Sequence, residues 1–279
     1  MLNTEQIEHW QTQGYVVLPG FKSAAEIETV SARARAIVQA FEPSASSSVF
    51  STRDRRQVAD AALIESADQV RCFFEEEAFD ASGALCVAKA LSINKIGHAL
   101  HDRDAVFKAF SHGATLAELA ADLGIHAPQV WQSQVIFKQP RIGGEVGWHQ
   151  DASFFETTPQ TVTTFWFALE DATLDNGCLW VQPGGHAGPL RERYVCEAGA
   201  LRMDALSAVP WPAMVDALAL PVAAGTLVVF NGLLPHCSLA NRSARSRLAY
   251  TLHVTDASAL YSALNWLQRG DEFAVRGLA

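Results

Sequence analysis

Read for the spacing of its apolar positions, the chain opens with short stripes separated by turn residues. Ile7 and Trp10 lie three apart after Thr4, a residue suited to capping, and Gly14 follows them, which predicts a first short helix. Tyr15-Val16-Val17-Leu18, bounded by Pro19-Gly20, predicts a strand. Ser23 then opens a second predicted helix to about Phe41, with Ile27, Val30, Ala34, Ile37 and Val38 on one stripe. Residues 43–60 are polar and predict a loop. Helical patterns are read again over 69–74, 84–91 and 115–123.

The pattern changes near Pro128. From there short apolar runs at 130–137, 161–169, 178–182, 225–230 and 247–254 alternate with turn signals, the mark of a sandwich or jelly roll. Gly143-Gly144, Asp175-Asn176-Gly177 and Pro183-Gly184-Gly185 supply turns, the middle one reading as a hairpin. The expected fold is therefore mainly β with helices: one domain over 1–279, made of a mostly helical layer (1–127), a jelly-roll core (128–256) and a C-terminal segment (257–279).

Composition narrows the setting. With 49% hydrophobic and 18% charged residues, the 279-residue chain is expected to build a sizeable core. A net charge of -9 argues against nucleic acid as a partner, since phosphates are neutralised by basic surfaces. The 5 cysteines include no Cys-x-x-Cys pair, which fits neither a disulfide framework nor a structural zinc site. No apolar run reaches the length of a membrane span, and Met1-Leu2-Asn3-Thr4-Glu5 does not begin a leader peptide. A cytoplasmic protein without membrane contact is expected. Oligomeric state is left open.

The chemistry concentrates at His149-Gln150-Asp151 and His236. In an extended segment residues i and i+2 project to one side, so His149 and Asp151 are placed to meet one ion. His236 follows the buried run Thr226-Leu227-Val228-Val229-Phe230 by a short turn, which suits a facing strand. Two imidazoles and one carboxylate leave part of a metal's coordination shell open, as in non-haem Fe(II) oxygenases. Arg247 follows eleven residues after His236. Pointing inward, its guanidinium needs an anion, and a dicarboxylate held in a bidentate fork would supply one, with Ser238 as a further donor.

The run His236-Cys237-Ser238-Leu239-Ala240-Asn241-Arg242-Ser243-Ala244-Arg245-Ser246-Arg247 resembles the H-x-S-x-x-N-x-S-x-x-x-R motif of the phytanoyl-CoA dioxygenase family. Phe137-Lys138-Gln139-Pro140, Gly143-Gly144-Glu145-Val146, Asn176-Gly177-Cys178-Leu179-Trp180 and Asn94-Lys95-Ile96-Gly97-His98-Ala99-Leu100-His101 match as well, the last in the part read as helical. The similarity is greatest to the family's domain-containing branch.

The resemblance implies a double-stranded β-helix core, Fe(II), and 2-oxoglutarate and O2 as co-substrates. It implies His149, Asp151 and His236 as metal ligands, Arg247 and Ser238 on the 2-oxoglutarate tail, and Lys95, Gln134 and Trp166 near the same co-substrate. The implied activity is hydroxylation of a small organic molecule with release of succinate and CO2; desaturation or ring formation uses the same cofactors. A silent binding protein, or a cupin-like enzyme with another metal, would keep the fold. Cys237 and Gly185 depart from the residues common in relatives.

Trp148, Phe154, Phe155 and Trp180 flank the expected site, and residues 43–60 and 187–212 are candidate lids. His98 and His101, three apart on an expected helix, are discounted as metal ligands, and His186 and His253 are read as packing or hydrogen-bonding residues.

Overall fold

The computed structural model describes residues 1–42, 49–50 and 61–279. Helix α1 (Thr4–Gln13) starts one residue beyond its cap, which is Asn3 rather than Thr4, in a capping box with Gln6, and it ends at left-handed Gly14. Helix α2 (Ala24–Ala40) has the expected Ser23 cap, closed by Glu26, and buries Ile27, Val30, Ala34 and Val38. The remaining helices are α3 (Ala61–Glu65), α4 (Leu100–Arg103), α5 (Ala105–Ser111) and α6 (Ala114–Asp122). No helix among the described residues is long and apolar enough to cross a membrane.

The strands in the first part are β1 (Tyr15–Leu18), β2 (Val49–Phe50), β3 (Val70–Glu75) and β4 (Ile93–His98). There follow β5 (Pro128–Lys138), β6 (Val146–His149), β7 (Thr157–Thr158), β8 (Thr163–Ala168) and β9 (Leu179–Val181). The last group is β10 (Glu192–Glu197), β11 (Ala200–Ala205), β12 (Leu218–Leu220), β13 (Leu227–Asn231), β14 (His236–Ser238), β15 (Arg247–Asp256) and β16 (Leu260–Tyr261). A large sheet runs β1-β13-β8-β15-β5-β4-β3-β2, and a second runs β12-β9-β14-β6. The short pairs β10-β11 and β16-β7 stand apart from both. Apart from the parallel β2-β3 pair, both sheets are antiparallel, and together they make the jelly roll expected from the sequence.

The first 127 residues are less helical than expected, because β1 to β4 extend the large sheet. Of residues 69–74, all but Gln69 fall in β3, paired antiparallel with β4 from Val70 to Phe74, where backbone pairing and burial of Cys72, Phe73 and Phe74 override the helical spacing. Residues 84–91 hold only a single 3₁₀ turn, Lys89–Leu91, and Leu85 and Leu91 stay exposed rather than packing on the core. Asn94 to His98 are extended, so His98 and His101 do not share a helix face: His98 ends β4 and His101 lies in α4. The candidate loop 43–60 falls outside the described residues, except for β2.

Asp175-Asn176-Gly177 makes a turn but not a hairpin, because it carries the chain from β8 in the large sheet to β9 in the small one. Asn176 accepts from Thr173 N–H and donates to the carbonyls of Asp171 and Ser246. Gly177 has φ +90°, and a Cβ there would sit 2.5 Å from Lys138 Cδ and 2.7 Å from the Leu239 carbonyl. Both backbone conformation and space require glycine.

Alternation along β15 sorts the core. Leu248, Tyr250, Leu252 and Val254 join a cluster with Val30, Phe107, Phe110 and Leu119 from the helices. Ala249, one face over, belongs instead to a cluster with Trp166, Val228, Leu179 and Val181, between the sheets.

Candidate metal centre

His149 ends β6 and His236 begins β14, and the two are directly opposed in the antiparallel register. Their rings lie 4.1 Å apart between centroids. Asp151 does not continue the strand: Gln150 is extended, and Asp151 opens a 3₁₀ turn, Asp151–Ser153. One extended residue between them is enough to bring the carboxylate round beside His149. Gln150 fixes that turn, donating to the carbonyls of Pro189 and Leu233 and accepting from Arg191 N–H.

Asp151 Oδ1 lies 3.6 Å from His149 Nε2 and 3.8 Å from His236 Nε2. One ligand atom from each of the three residues lies within 4.8 Å of the others. His149 Nδ1 is 2.9 Å from the Gly147 carbonyl and His236 Nδ1 is 3.0 Å from the Leu234 carbonyl. A carbonyl only accepts, so each Nδ1 carries the proton and each Nε2 presents its lone pair to the shared space.

Electrostatics agree with that state. Burial, together with the neighbouring His236, pulls the His149 imidazole down to about 4, so it is neutral at physiological pH. Burial opposes ionisation of Asp151, but His236, His253 and His149 together hold its carboxyl well below the usual range. Two imidazoles that present Nε2 and an ionised carboxylate, the three grouped donors among the described residues, fit a divalent first-row metal with open positions.

The other expected residues divide between cavity and wall. A cavity of about 270 Å³ opens beside His149 and Asp151 and is lined by Lys95 and Gln134 among others. Lys95 Nζ lies 3.4 Å from Gln134 Oε1, and burial pushes its ammonium down to about 7 against the pull of Glu75 and Asp151. Trp148, Phe154 and Phe155 line the cavity, whereas Trp180 packs against the apolar cluster between the sheets. The expected lid at 187–212 is a paired hairpin, β10-β11, whose Glu192, Tyr194 and Met203 form a wall of the cavity.

Arg247, Ser238 and Trp166 lie outside that lining, in the sandwich behind it. Ser238 is buried on β14, two residues after His236. Arg247 is 2% exposed and donates from Nε to the Gly177 carbonyl at 3.2 Å. Its guanidinium carbon stands 5.6 Å over the Trp166 ring. Burial pulls it down to about 10, with Cys178 and Glu170 opposing, so it remains a cation at neutral pH. Arg247 Nη1 and Thr251 Oγ1 are buried without hydrogen-bond partners, on the same face of β15. Two orphaned polar atoms on one face between Trp166 and Gln134 suit a polar, anionic guest, since leaving them unpaired is costly.

Sequence reasoning passed over Thr164 and Thr251, discounted His98 as a metal ligand, and read His253 as a packing or hydrogen-bonding residue. Thr164 Oγ1 donates to Asp151 Oδ2 in a short hydrogen bond, and His253 Nε2 lies 3.4 Å from the same oxygen. His98 lines the cavity and holds Ser66 Oγ at 2.7 Å from its Nδ1. Thr164, Thr251 and His253 carry no local motif; the one available signal is even-numbered spacing along a strand that also holds a predicted site residue, as for Arg247, Thr251 and His253.

The departures at 237 and 185 are accommodated. Cys237 is buried, which pushes its thiol up to about 12 and leaves little reactive thiolate. A Cβ on Gly185 would lie 2.8 Å from Pro235 Cδ, next to His236, so glycine lets that turn press against the ligand strand.

Comparison with known proteins follows the same lines. The family profile described as phytanoyl-CoA dioxygenase (PhyH) matches residues 10–249. The chain is 42% identical over 269 residues to the phytanoyl-CoA dioxygenase of Arabidopsis thaliana, covering 96% of this chain and 94% of the relative. It is 41% identical over 276 residues to phytanoyl-CoA dioxygenase domain-containing protein 1 of Bos taurus, covering 96% and 95%. Among solved structures it is similar to the epimerase SnoN in complex with Fe3+, alpha ketoglutarate and nogalamycin RO. The TM-score is 0.66 at 18% identity, covering 99% of this chain and 92% of that one, which shows a common fold.

Proposed function

The chain belongs to the phytanoyl-CoA dioxygenase family, and on that premise we propose that it is an Fe(II)- and 2-oxoglutarate-dependent oxygenase acting on a small organic molecule. Substrate, 2-oxoglutarate and O2 would yield hydroxylated substrate, succinate and CO2. The observation that carries the reading is the convergence of His149 Nε2, His236 Nε2 and Asp151 Oδ1, two of these residues lining a cavity, together with a buried Arg247 guanidinium whose Nη1 lacks a partner.

In this reading His149, Asp151 and His236 hold the iron, and Arg247 with Ser238 holds the distal carboxylate of 2-oxoglutarate. Lys95, Gln134 and Trp166 border the same co-substrate. Bound iron supplies the capacity to activate O2, which amino-acid side chains lack.

The protein's own part is placement. The Gly147 and Leu234 carbonyls keep both imidazoles in the ligating tautomer. Arg247 counters the charge of a diacid in a site where water does not compete. Phe154, Phe155 and Trp148 keep the cavity beside the metal ligands largely apolar, which suits the hydrocarbon part of a substrate and excludes water. The β10-β11 hairpin supplies the outer wall, a position from which loops and hairpins set substrate choice.

The test is to load the protein with Fe(II) anaerobically, admit O2, and measure conversion of 2-oxoglutarate to succinate. Succinate is expected from the unsubstituted protein and not from His236→Ala. Iron bound without succinate formation would sink the reading and leave a silent binding protein. A metabolite library screened by succinate release then identifies the substrate.

A further inference from the structure

Asp151 has two oxygens, and the fold treats them differently. Oδ1 faces His149 Nε2 and His236 Nε2 at 3.6 and 3.8 Å. Oδ2 faces the large sheet, where it accepts from Thr164 Oγ1 and lies 3.4 Å from His253 Nε2. Thr164 on β8 and His253 on β15 are themselves a register pair, so adjacent strands aim two donors at one oxygen.

The protonation of His253 follows from its neighbours. A carboxylate oxygen only accepts, so the nitrogen facing it carries the hydrogen, and His253 Nδ1, buried without a hydrogen-bond partner, is the bare one. The ring is held from the other side by Phe155, stacked at 4.7 Å between centroids and 24° between planes. His253 is 4% exposed, and it lines the cavity beside Asp151.

From this geometry we infer that His253, together with Thr164, is a positioning residue that holds Asp151 to coordination through Oδ1 alone. The inference rests on the metal centre proposed above. A carboxylate free to turn can bind a metal through both oxygens, and the second bond occupies a position that a bidentate co-substrate and O2 require. With Oδ2 engaged by the sheet, three positions of a six-coordinate ion stay open. His253 acts on the metal through Asp151 and is not itself one of the three grouped ligand residues, although it also lines the cavity.

The test uses Co(II) and Mn(II) with the metal-free protein, and its readouts are affinity and bound water rather than turnover. His253→Phe keeps the ring against Phe155 and removes the donor; His253→Gln places an N–H at about the same reach. Expected by calorimetry is about a 10- to 100-fold loss of Co(II) affinity in His253→Phe, the scale seen when partners of metal ligands are removed. Recovery to within about threefold of the unsubstituted protein is expected in His253→Gln on the same scale. Water-proton relaxation by bound Mn(II) should fall by about a third in His253→Phe, as one of three open positions closes.

Thr164→Val, which removes the hydroxyl donor while nearly keeping the shape, should also weaken Co(II), and it carries the test if His253→Phe unfolds. Unchanged Co(II) affinity in the folded donor-less variant, or His253→Gln no better than His253→Phe, would overturn the inference and leave the centre standing. Failure of the unsubstituted protein to bind Co(II) or Mn(II) would overturn the centre and the inference together.

Discussion

On β15, Leu248, Tyr250, Leu252 and Val254 face the helices, and Arg247, Thr251 and His253 alternate with them toward the smaller sheet. All seven are buried. The helix-facing set packs among Phe107, Phe110 and Phe167, and the one polar group there is satisfied, Tyr250 Oη lying 2.7 Å from Ser111 Oγ. The opposite set leaves Arg247 Nη1, Thr251 Oγ1 and His253 Nδ1 without hydrogen-bond partners. The first face contributes stability through apolar burial, and the second gives up stability to keep charge and hydrogen-bonding capacity ready for guests. A single strand thus serves folding on one side and binding on the other.

The widest separation between the faces is expected for a ligand. His236→Ala should abolish Fe(II) binding at micromolar metal while the metal-free protein unfolds near its usual temperature; calorimetry and thermal denaturation read the two effects. If metal binding survives, the polar face is not a metal centre. Leu252→Ala, on the helix-facing side, should cost about 2–5 kcal/mol in chemical denaturation and leave Co(II) affinity unchanged in the folded protein. A loss of affinity larger than the loss of stability would mean that the faces are not independent.

Arg247→Met should raise the 2-oxoglutarate requirement by roughly 10- to 100-fold, the worth of one buried charge-assisted pair, with Fe(II) affinity largely kept. It should also raise thermal stability without ligand, since an apolar side chain replaces a buried cation. Equal loss of iron and 2-oxoglutarate would show that Arg247 supports the whole site rather than the diacid.

The smallest expected effect is in the pH dependence of stability. Lys138, the register partner of Arg247, is pushed by burial, and by that cation, down to about 7. Between about pH 7 and the ordinary lysine value near 10.4, the unfolded chain therefore binds a proton that the folded chain does not. Stability should rise with pH across that window from this group, and urea midpoints for Lys138→Met should rise less steeply than those of the unsubstituted protein. Parallel slopes would indicate that Lys138 is charged in the fold.

How far the sequence revealed this arrangement depends on the same two faces. β5, β8, β9, β13 and β15 were legible because their apolar positions recur at strand spacing between turns. β4 was not, because Asn94, Lys95 and His98 face the site and break the apolar pattern that marks a strand. β3 was hidden for a different reason: Cys72, Phe73 and Phe74 are all buried, and a continuous apolar run does not distinguish strand from helix.

In the site, His149, Asp151, His236 and Arg247 were legible from spacing and motif. Thr164 and His253 acquire their relation to Asp151 only through the pairing of β8 with β15, which no local stretch encodes. Gln150, between two ligands, looked unremarkable in sequence, yet its three hydrogen bonds set the turn on which Asp151 depends.

The opposed register of His149 and His236 has a consequence for biosynthesis. A polypeptide leaving the ribosome exposes His149 and Asp151 while some eighty residues that precede His236 are still to be added. Until β14 docks, the nascent chain presents two of the three groups proposed to hold iron. On this reading the complete set of three exists only once β14 has paired with β6, so metal capture would follow sheet closure.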